Sequence, residues 1–337
     1  APPVEGGYRL TGRWQWGTGV MHANWVMIGA MTEGQDPPEL CMYILPIEQV
    51  EVIDSWQMSG MAGTGSNDIA ITDGFIPACR RQNLSSMRAG DSPGANIHKT
   101  STYRMPMLPV LGLTAASPAV GCAKKVVELF KQNLLQRTVY GTQDKLSGRA
   151  LAQSKLAHLT VRINNTEQAL LQIAREVTAW GESGQTCPDI ERASFRVRIG
   201  HVVRDARNIV RDIIEASGAS AHSLDNPLQR AMRDLETLSG HTVFDLDVSS
   251  ESYGRLLLGL PSNTPLQYFK GMQGSKSKPP INPAGTKIKP SGLDFTSLMY
   301  LRIIDTHLIS ELTIDAPITI ESMQSQSTGA SINRIFS

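Results

Sequence analysis

The spacing of apolar residues changes once along this chain, near residue 105, and that change constrains the fold more than any other feature. Before it, apolar residues occur in short runs separated by Gly, Pro, Asn and Asp. After it, apolar residues recur at steps of three, four and seven over long segments. Short runs bounded by turn residues predict strands, and the longer period predicts amphipathic helices. The sequence therefore predicts an α+β protein in which a β region precedes a helical region.

Residues 1–105 are predicted to form a small β domain. Four apolar runs within this region have the length of strands and are bounded by turn residues. They are Tyr8–Leu10, Trp25–Ile28, Met42–Leu45 and Val50–Ile53. We therefore expect the chain to begin with β structure.

Residues 106–262 are predicted to form an antiparallel bundle of about four helices. One helix precedes Gln136, and a short one covers about Leu228 to Leu238. A long helix between them has one apolar face, formed by Leu156, Leu159, Ile163, Leu170, Ile173, Val177 and Trp180. A second long helix, from about Asp189 to Ser217, has its apolar face at Phe195, Ile199, Val202, Ala206, Ile209 and Ile213. Gly218 is suited to end that helix.

Residues 263–337 have a different character. The part up to Pro290 is rich in Pro, Gly, Ser and Lys, which predicts a linker or flexible extension. Apolar and β-branched residues return between Leu293 and Ile320, and the end is rich in Ser and Gln. We assign this segment no function.

The charge of the chain argues against nucleic-acid and membrane partners. Lys and Arg number 32 and Asp and Glu number 31, so the formal net charge of +1 provides no field that attracts polyanions. Six arginines between Arg192 and Arg211 alternate with acidic residues, so they are expected on a solvated or inter-subunit helix face. No stretch reaches the roughly 20 apolar residues that span a bilayer.

The four cysteines indicate a reduced, cytoplasmic setting. Cys41, Cys79, Cys122 and Cys187 are far apart and have no histidine at metal-ligand spacing, so we expect buried thiols and no metal site.

The first residues, APPVEGGYRL, contain neither an initiator Met nor a secretory signal. The true start is therefore expected upstream.

Two glycine-rich segments are candidates for a cofactor site. In Gly12–Gly19, the ring of Trp16 stands beside Thr18 and two glycines, which suits a planar cofactor; a tight turn with core tryptophans is the alternative. In Trp56–Asp68, Ser66 is placed to hydrogen-bond the edge of a ligand. Neither the GxGxxG register nor the terminal Lys of a phosphate-binding loop is present in that segment.

His241 is the candidate acid–base residue. It follows Gly240 at the expected end of a helix, where an imidazole can project into a cleft. A structural or exposed histidine is the alternative. Arg230 and Asp234 are four residues apart in that helix and are expected to pair on one face.

Three segments, in their order along the chain, resemble the acyl-CoA dehydrogenase superfamily and its flavin-dependent two-component monooxygenases, such as the oxygenase components of p-hydroxyphenylacetate hydroxylase. They are GGYRLTGRWQWGTG, WQMSGMAGTGSNDIAI with the following FIPACR, and NPLQRAMRDLETLSGH. The resemblance covers about Gly6 to Pro261. It implies a middle β-barrel domain followed by a C-terminal antiparallel four-helix bundle, and it implies an N-terminal helical domain that this sequence does not include.

The same resemblance implies the residues of the site. The expected cofactor-binding residues are Trp16, Thr18, Gly19, Ser66 and Arg137. Arg137 matches an arginine that contacts a flavin phosphate or a neighbouring subunit. His241 matches a histidine beside flavin and substrate, where it acts as an acid–base or stabilises a flavin hydroperoxide.

The implied activity is aromatic hydroxylation by an oxygenase component. Reduced FMN or FAD arrives from a separate flavin reductase and reacts with O2 to give a hydroperoxide at carbon 4a, which hydroxylates an aromatic or polycyclic substrate. The protein positions these groups and keeps water out. The resemblance also implies that the helical bundle assembles into a homotetramer.

Two alternatives remain at this point. An acyl-CoA dehydrogenase-like oxidoreductase needs a carboxylate base, commonly in a Glu-Gly-Thr context, and the matching segment here is SGHTVFDLD; Glu236 and Glu251 are the other carboxylates nearby. An inert assembly module is the second alternative. It follows from the expected lack of the N-terminal domain, which forms half of the pocket wall and without which flavin binding is expected to be weak.

Overall fold

The computed structural model describes residues 1–34, 38–98 and 100–263. Most of the predicted linker and tail, from residue 264 onward, lies outside the described residues. The strands come first along the chain and the long helices follow them.

The strands form two open sheets. They are β1 (Pro3–Val4), β2 (Gly7–Gly17), β3 (Trp25–Thr32), β4 (Glu39–Pro46), β5 (Glu51–Ile53), β6 (Asn67–Pro77) and β7 (Arg81–Asn83). One sheet has the order β1-β2-β6-β5 and the other β3-β4-β7, and all pairs are antiparallel. The four predicted strand segments are confirmed. The closed barrel is not observed in the described residues, since each sheet keeps two free edges.

The inner faces of the two sheets share one apolar core. Leu10 and Ile69 from the first sheet pack with Ile28, Tyr43 and Leu45 from the second. Successive side chains of a strand point to opposite faces, so every second residue enters this core. The shared core fixes the position of the ends of β2 and β6, where the candidate cofactor residues lie.

Seven helices follow or flank the sheets in the described part of the chain. They are α1 (Leu84–Ala89), α2 (Pro93–Ile97), α3 (Met107–Gln136), α4 (Ala150–Ser183), α5 (Asp189–Ser217), α6 (Pro227–Ser239) and α7 (Leu246–Leu257). The bounds predicted for α5 are those observed, and Gly218 leaves the helix with φ 70°. Five helices, α3 to α7, make up the helical region, so the prediction of about four was one too few.

Helix α3 is the central helix of this region. It packs against α4, α5 and α6, and its buried side is lined by small residues such as Ala116 and Ala119. By length and composition alone α3 is apolar enough to cross a membrane, yet half of its most apolar stretch is buried within the protein. Burial of that kind is typical of the core helix of a bundle.

The prediction of a solvated arginine face on α5 is wrong for part of the helix. Arg192 is only 6% exposed, and buried guanidinium nitrogens occur in Arg196 and Arg207. Helix α5 contacts α3, α4, α6 and α7, so little of its circumference is left for solvent. Charge alternation in the sequence did not reveal how many neighbours this helix has.

The cysteines are all unbonded thiols in the described residues. Cys41 and Cys187 are buried and Cys122 is half-buried, but Cys79 is exposed in the turn after β6, which corrects the prediction for that residue. Burial raises the pKa of the Cys187 thiol to about 11. No group of three or more metal-ligating side chains is found within the described ranges.

Candidate functional site

Two tryptophans at the end of β2 have different roles. The Trp14 indole donates a hydrogen bond to the Gly29 carbonyl at 2.9 Å and packs on the β core. Trp16 is 40% exposed, and its backbone has φ 62°, where the β2–β6 register shifts between Trp14 and Gly17. A positive φ in a bulky residue is uncommon and often marks a functional position. The sequence left two alternatives for these tryptophans, packing in the core or contact with a planar cofactor. Trp14 packs in the core, whereas the ring of Trp16 is available to a cofactor.

A hydroxyl cluster of Thr18, Thr64 and Ser66 lies beside this strand end. The Ser66 hydroxyl is 2.9 Å from both the Thr18 and the Thr64 hydroxyls. Thr64 also donates to the Met61 carbonyl at 2.8 Å, and the Gly19 amide donates to the Thr64 carbonyl at 3.0 Å. Ser66 is buried and Thr18 is partly exposed, so Thr18 presents the cluster to solvent while Ser66 orients it.

The loop that leads into Ser66 docks on helix α6. The Asp234 carboxylate accepts a hydrogen bond from the Met61 amide at 2.6 Å, and Arg233 donates to the Ser59 carbonyl at 2.8 Å. A Cβ atom on Gly60 would lie 2.2 Å from the Arg233 carbonyl oxygen, so only glycine fits there. The expected Arg230–Asp234 pair is not among the ion pairs of the described residues, because Asp234 caps this loop instead. Sequence reasoning missed the role of Gly60, for which its place in a glycine-rich loop was the available signal.

His241 lies in a tight turn between α6 and α7. Its Nδ1 accepts a hydrogen bond from the Val243 amide at 3.1 Å, and the His241 ring is half-buried. Asp245 ends the turn by accepting from the amides of Asp247 and Val248, which caps α7. The predicted position of His241 after the end of a helix is confirmed.

Helix α5 packs against the turn that contains His241. Arg196 donates to the Thr242 carbonyl at 3.0 Å. A Cβ atom on Gly200 would lie 2.7 Å from Leu246 Cδ2, so the turn approaches the α5 backbone closely. These contacts fix the position of the turn backbone, and therefore the point from which the His241 side chain extends.

The structure brings only some of the predicted site residues into contact. Thr18 and Ser66 share a hydrogen bond, Gly19 bonds the same cluster, and α6 links the docked loop to the turn of His241. Arg137 lies elsewhere, at the end of α3, where it donates to the Ser217 carbonyl at 3.0 Å. Glu236, one of the alternative carboxylates, is ion-paired with Arg211 at 2.5 Å.

Comparison with known families first defines the class of protein. The family described as acyl-CoA dehydrogenase, C-terminal domain, matches residues 113–246, which span α3 to the turn of His241. The order of two open sheets followed by long helices is thus that of an acyl-CoA dehydrogenase-like fold.

Individual relatives narrow this class. The pigment production hydroxylase of a Rhodococcus species is 33% identical over 264 residues, which are 78% of this chain and 68% of that protein. The flavin-dependent monooxygenase oxygenase subunit HsaA of Rhodococcus jostii is 27% identical and covers 77% of this chain and 68% of its own. The structure of XiaF from a Streptomyces species, in complex with FADH2 and glycerol, matches with a TM-score of 0.72 and 25% identity over 79% of this chain and 67% of its own. The chain belongs to the acyl-CoA dehydrogenase superfamily, in its group of flavin-dependent monooxygenase oxygenase components. It is an oxidoreductase of that group.

The residues at the end of β2 fit a flavin. The exposed Trp16 ring offers a flat apolar face, and the Thr18 hydroxyl and its cluster offer donors and acceptors next to it. Open space surrounds the position of a Cβ on Gly63, so the loop leaves room beside the cluster. A planar ring with polar edges, such as an isoalloxazine, needs this combination of an aromatic face and hydroxyl partners.

Proposed function

We propose that the chain is the oxygenase component of a two-component system that hydroxylates an aromatic or polycyclic substrate with O2. Reduced FMN or FAD from a separate reductase is the diffusible cofactor, and a homotetramer in the cytoplasm is the proposed assembly and location. The observation that carries the proposal is the pairing of an exposed Trp16 ring with the hydroxyl cluster at one strand end. Reduced flavin, when bound, supplies the electrons that activate O2.

The β side of the site positions the cofactor. Trp16, Thr18 and Gly19 are proposed to contact the flavin, with the Thr18 hydroxyl as the polar partner of the ring edge. Ser66 is proposed to act next to them by holding the Thr18 hydroxyl in place at 2.9 Å. Arg137 is proposed to contact a flavin phosphate or a neighbouring subunit, since it is an exposed residue whose guanidinium uses Nη1 for the Ser217 carbonyl.

A hydrogen bond within the turn of His241 determines which nitrogen of its ring is available to a ligand. Because Nδ1 accepts the Val243 amide proton, the neutral ring carries its own proton on Nε2. A second proton on Nδ1 would abolish that hydrogen bond. His241 is therefore proposed to donate a hydrogen bond from Nε2 to a substrate or oxygen-derived acceptor without transferring its proton, and this favours the stabilising role over that of an acid or a base.

Substitution of His241 tests the function. In the full chain, with reductase, NADH, flavin and a panel of phenols and indole, His241→Ala is expected to lower hydroxylated product per NADH by about 10²-fold. Flavin affinity is expected to stay close to that of the wild type, because the Trp16 and Thr18 contacts are unchanged.

His241→Asn is the matched control. Its side-chain oxygen reaches the position of Nδ1 and retains the bond to the Val243 amide, but it has no group at the position of Nε2. Loss of product in both variants supports donation from Nε2. Full activity of His241→Asn would contradict that role, and oxidation of NADH without product in the wild type with every substrate would contradict the oxygenase proposal.

A further inference from the structure

Three hydroxyl groups beside the end of β2 form a continuous chain of hydrogen bonds that ends on a backbone carbonyl. The Thr18 hydroxyl lies 2.9 Å from that of Ser66, and the Ser66 hydroxyl lies 2.9 Å from that of Thr64. The Thr64 hydroxyl lies 2.8 Å from the Met61 carbonyl oxygen. The chain of hydroxyls therefore runs from partly exposed Thr18 to an acceptor inside the loop that docks on α6.

The number of protons determines the direction of every hydrogen bond in this chain of hydroxyls. A carbonyl oxygen only accepts, so the single proton of the Thr64 hydroxyl is donated to Met61. Because each hydroxyl has one proton, Ser66 donates to Thr64 and Thr18 donates to Ser66. Three protons make three hydrogen bonds, and none is left over. The Thr18 oxygen consequently offers only lone pairs to a ligand.

The carbonyl that sets this direction is held by contacts with two other segments of the chain. Met61 has φ 58°, a left-handed conformation that is uncommon for a residue with a long side chain. Its amide donates to the Asp234 carboxylate at 2.6 Å, and its carbonyl also accepts from the Trp56 indole at 2.9 Å. Because both its amide and its carbonyl are bonded, Met61 keeps this conformation and its carbonyl stays directed at Thr64.

An oxygen that accepts but does not donate distinguishes the two redox forms of a flavin. The oxidised isoalloxazine ring has a lone pair at nitrogen 5, whereas the reduced ring has an N–H there. The N–H can donate to the Thr18 oxygen, but the lone pair obtains a proton from Thr18 only if the bond to Ser66 breaks.

We propose that Thr64 is a positioning residue that, by fixing the direction of this chain of hydroxyls, makes Thr18 select reduced flavin over oxidised flavin. The inference rests on the proposed function, from which it takes the contact of Thr18 with the flavin. Selection of this kind allows a diffusible cofactor to leave once it is oxidised and to return to the reductase.

Equilibrium binding of flavin to the full 337-residue chain tests the proposal without turnover. Oxidised FMN and FAD are titrated in air, and the same flavins are titrated under anaerobic conditions after reduction with dithionite. The wild type is expected to bind the reduced form more tightly. In Thr64→Val, the Ser66 proton loses its acceptor and turns to Thr18, whose own proton becomes available to the ligand. The preference for reduced flavin, measured as the ratio of the two Kd values, is therefore expected to fall about fivefold, the effect of one typical hydrogen bond.

Two further variants separate the direction of the hydrogen bonds from a merely structural role of Thr64. Thr64→Ser keeps a hydroxyl that donates to the Met61 carbonyl, and it is expected to keep the wild-type ratio. Ser66→Ala removes the acceptor of the Thr18 proton and is expected to lower the ratio as Thr64→Val does, so it replaces that variant if Thr64→Val does not fold. A merely structural role would weaken the binding of both redox forms together and leave the ratio unchanged.

A flavin analogue locates the contact on the ring. In 5-deaza-FMN a carbon replaces nitrogen 5, so its reduced form has no N–H there, and the wild type is expected to lose most of its preference for the reduced form. An undiminished preference for reduced 5-deaza-FMN, or an unchanged ratio with FMN in both Thr64→Val and Ser66→Ala, would overturn the proposal and leave the oxygenase function standing. Absence of binding of either redox form to the wild type would contradict the proposed function as well.

Discussion

The hydroxyl cluster at the end of β2 differs from three arginines in how its buried polar groups are satisfied. These arginines are Arg88 from α1 and Arg192 and Arg196 from α5, and we call them the arginine cluster. Ser66 is buried, yet its hydroxyl meets two others at 2.9 Å, because a hydroxyl both donates and accepts. Guanidinium groups only donate, so Arg88, Arg192 and Arg196 cannot satisfy one another. Neighbouring carboxylates and carbonyls accept from some of their nitrogens, but three buried nitrogens, Nε of Arg88 and Nε and Nη1 of Arg196, have no acceptor in the described residues.

That difference separates a region whose hydrogen bonds are complete within the chain from one whose hydrogen bonds are not. The hydroxyl cluster is complete within the chain and therefore holds its geometry before a cofactor arrives, which is a form of preorganisation. The arginine cluster leaves donors of Arg88 and Arg196 without acceptors in the described residues, and burying such donors costs free energy.

The largest effect on stability is expected from the loop that supports the hydroxyl cluster. Gly60→Ala places a Cβ 2.2 Å from the Arg233 carbonyl oxygen, and a backbone atom cannot move aside cheaply. We expect a loss of about 3 kcal/mol in the free energy of unfolding, measured by urea denaturation. Gly63→Ala in the same loop meets open space and is expected to be neutral within about 0.5 kcal/mol. Equal effects of the two substitutions would show that α6 does not fix the loop.

A smaller difference is expected when one member of each cluster loses its polar group. Ser66→Ala removes two hydrogen bonds from a complete cluster and is expected to cost about 1–2 kcal/mol in the free energy of unfolding. Arg196→Met removes the hydrogen bond to Thr242 together with a buried cation that has unmade hydrogen bonds, and it keeps the apolar stem, so its cost is expected to stay below about 1 kcal/mol. Urea denaturation at low salt measures both costs. A larger loss in the free energy of unfolding for Arg196→Met than for Ser66→Ala would contradict the distinction between the two clusters.

The smallest expected effect is that of ionising the Cys187 thiol, which interacts with Arg192 of the arginine cluster. The pKa of Cys187 is raised to about 11 by burial, so the thiol stays protonated and is expected to react with iodoacetamide far more slowly than exposed Cys79 at pH 8. The raised pKa favours the folded state fully below pH 9, and this contribution is lost as the pH rises from 9 to about 11. Mass spectrometry of the labelled peptides measures both rates, and equal labelling would show that this region opens readily.

Local pattern predicted most of the elements of the fold. The strand runs and the apolar face of α5 follow from side-chain periodicity, which is fixed by the geometry of strands and helices. The closed barrel, implied by family resemblance, was not observed, because closure depends on pairing between distant strand edges. The fifth helix was missed because α7 is only 12 residues long and has a mixed surface.

The candidate site was predicted less completely. Trp16, Thr18 and Ser66 were found as residue types in glycine-rich segments, and His241 from its place after a helix. Their partners were not predictable, since the contacts of Ser66 with Thr18 and of Met61 with Asp234 join residues 48 and 173 positions apart. Arg230 and Asp234 have the spacing of a pair on one helix face. In the folded chain, however, the Asp234 carboxylate accepts a hydrogen bond from the Met61 amide.

The sequence by itself determined where strands end, where helices begin, and that His241 follows a helix, because these depend on neighbours within a few residues. Only the tertiary structure decided that Trp14 packs in the core while Trp16 stays exposed, and that arginines with the pattern of a solvated face are buried. The physical reason is that burial and hydrogen-bond satisfaction depend on which distant elements meet a side chain. Helix α5 is covered by four other helices, and that fact is not contained in the periodicity of α5.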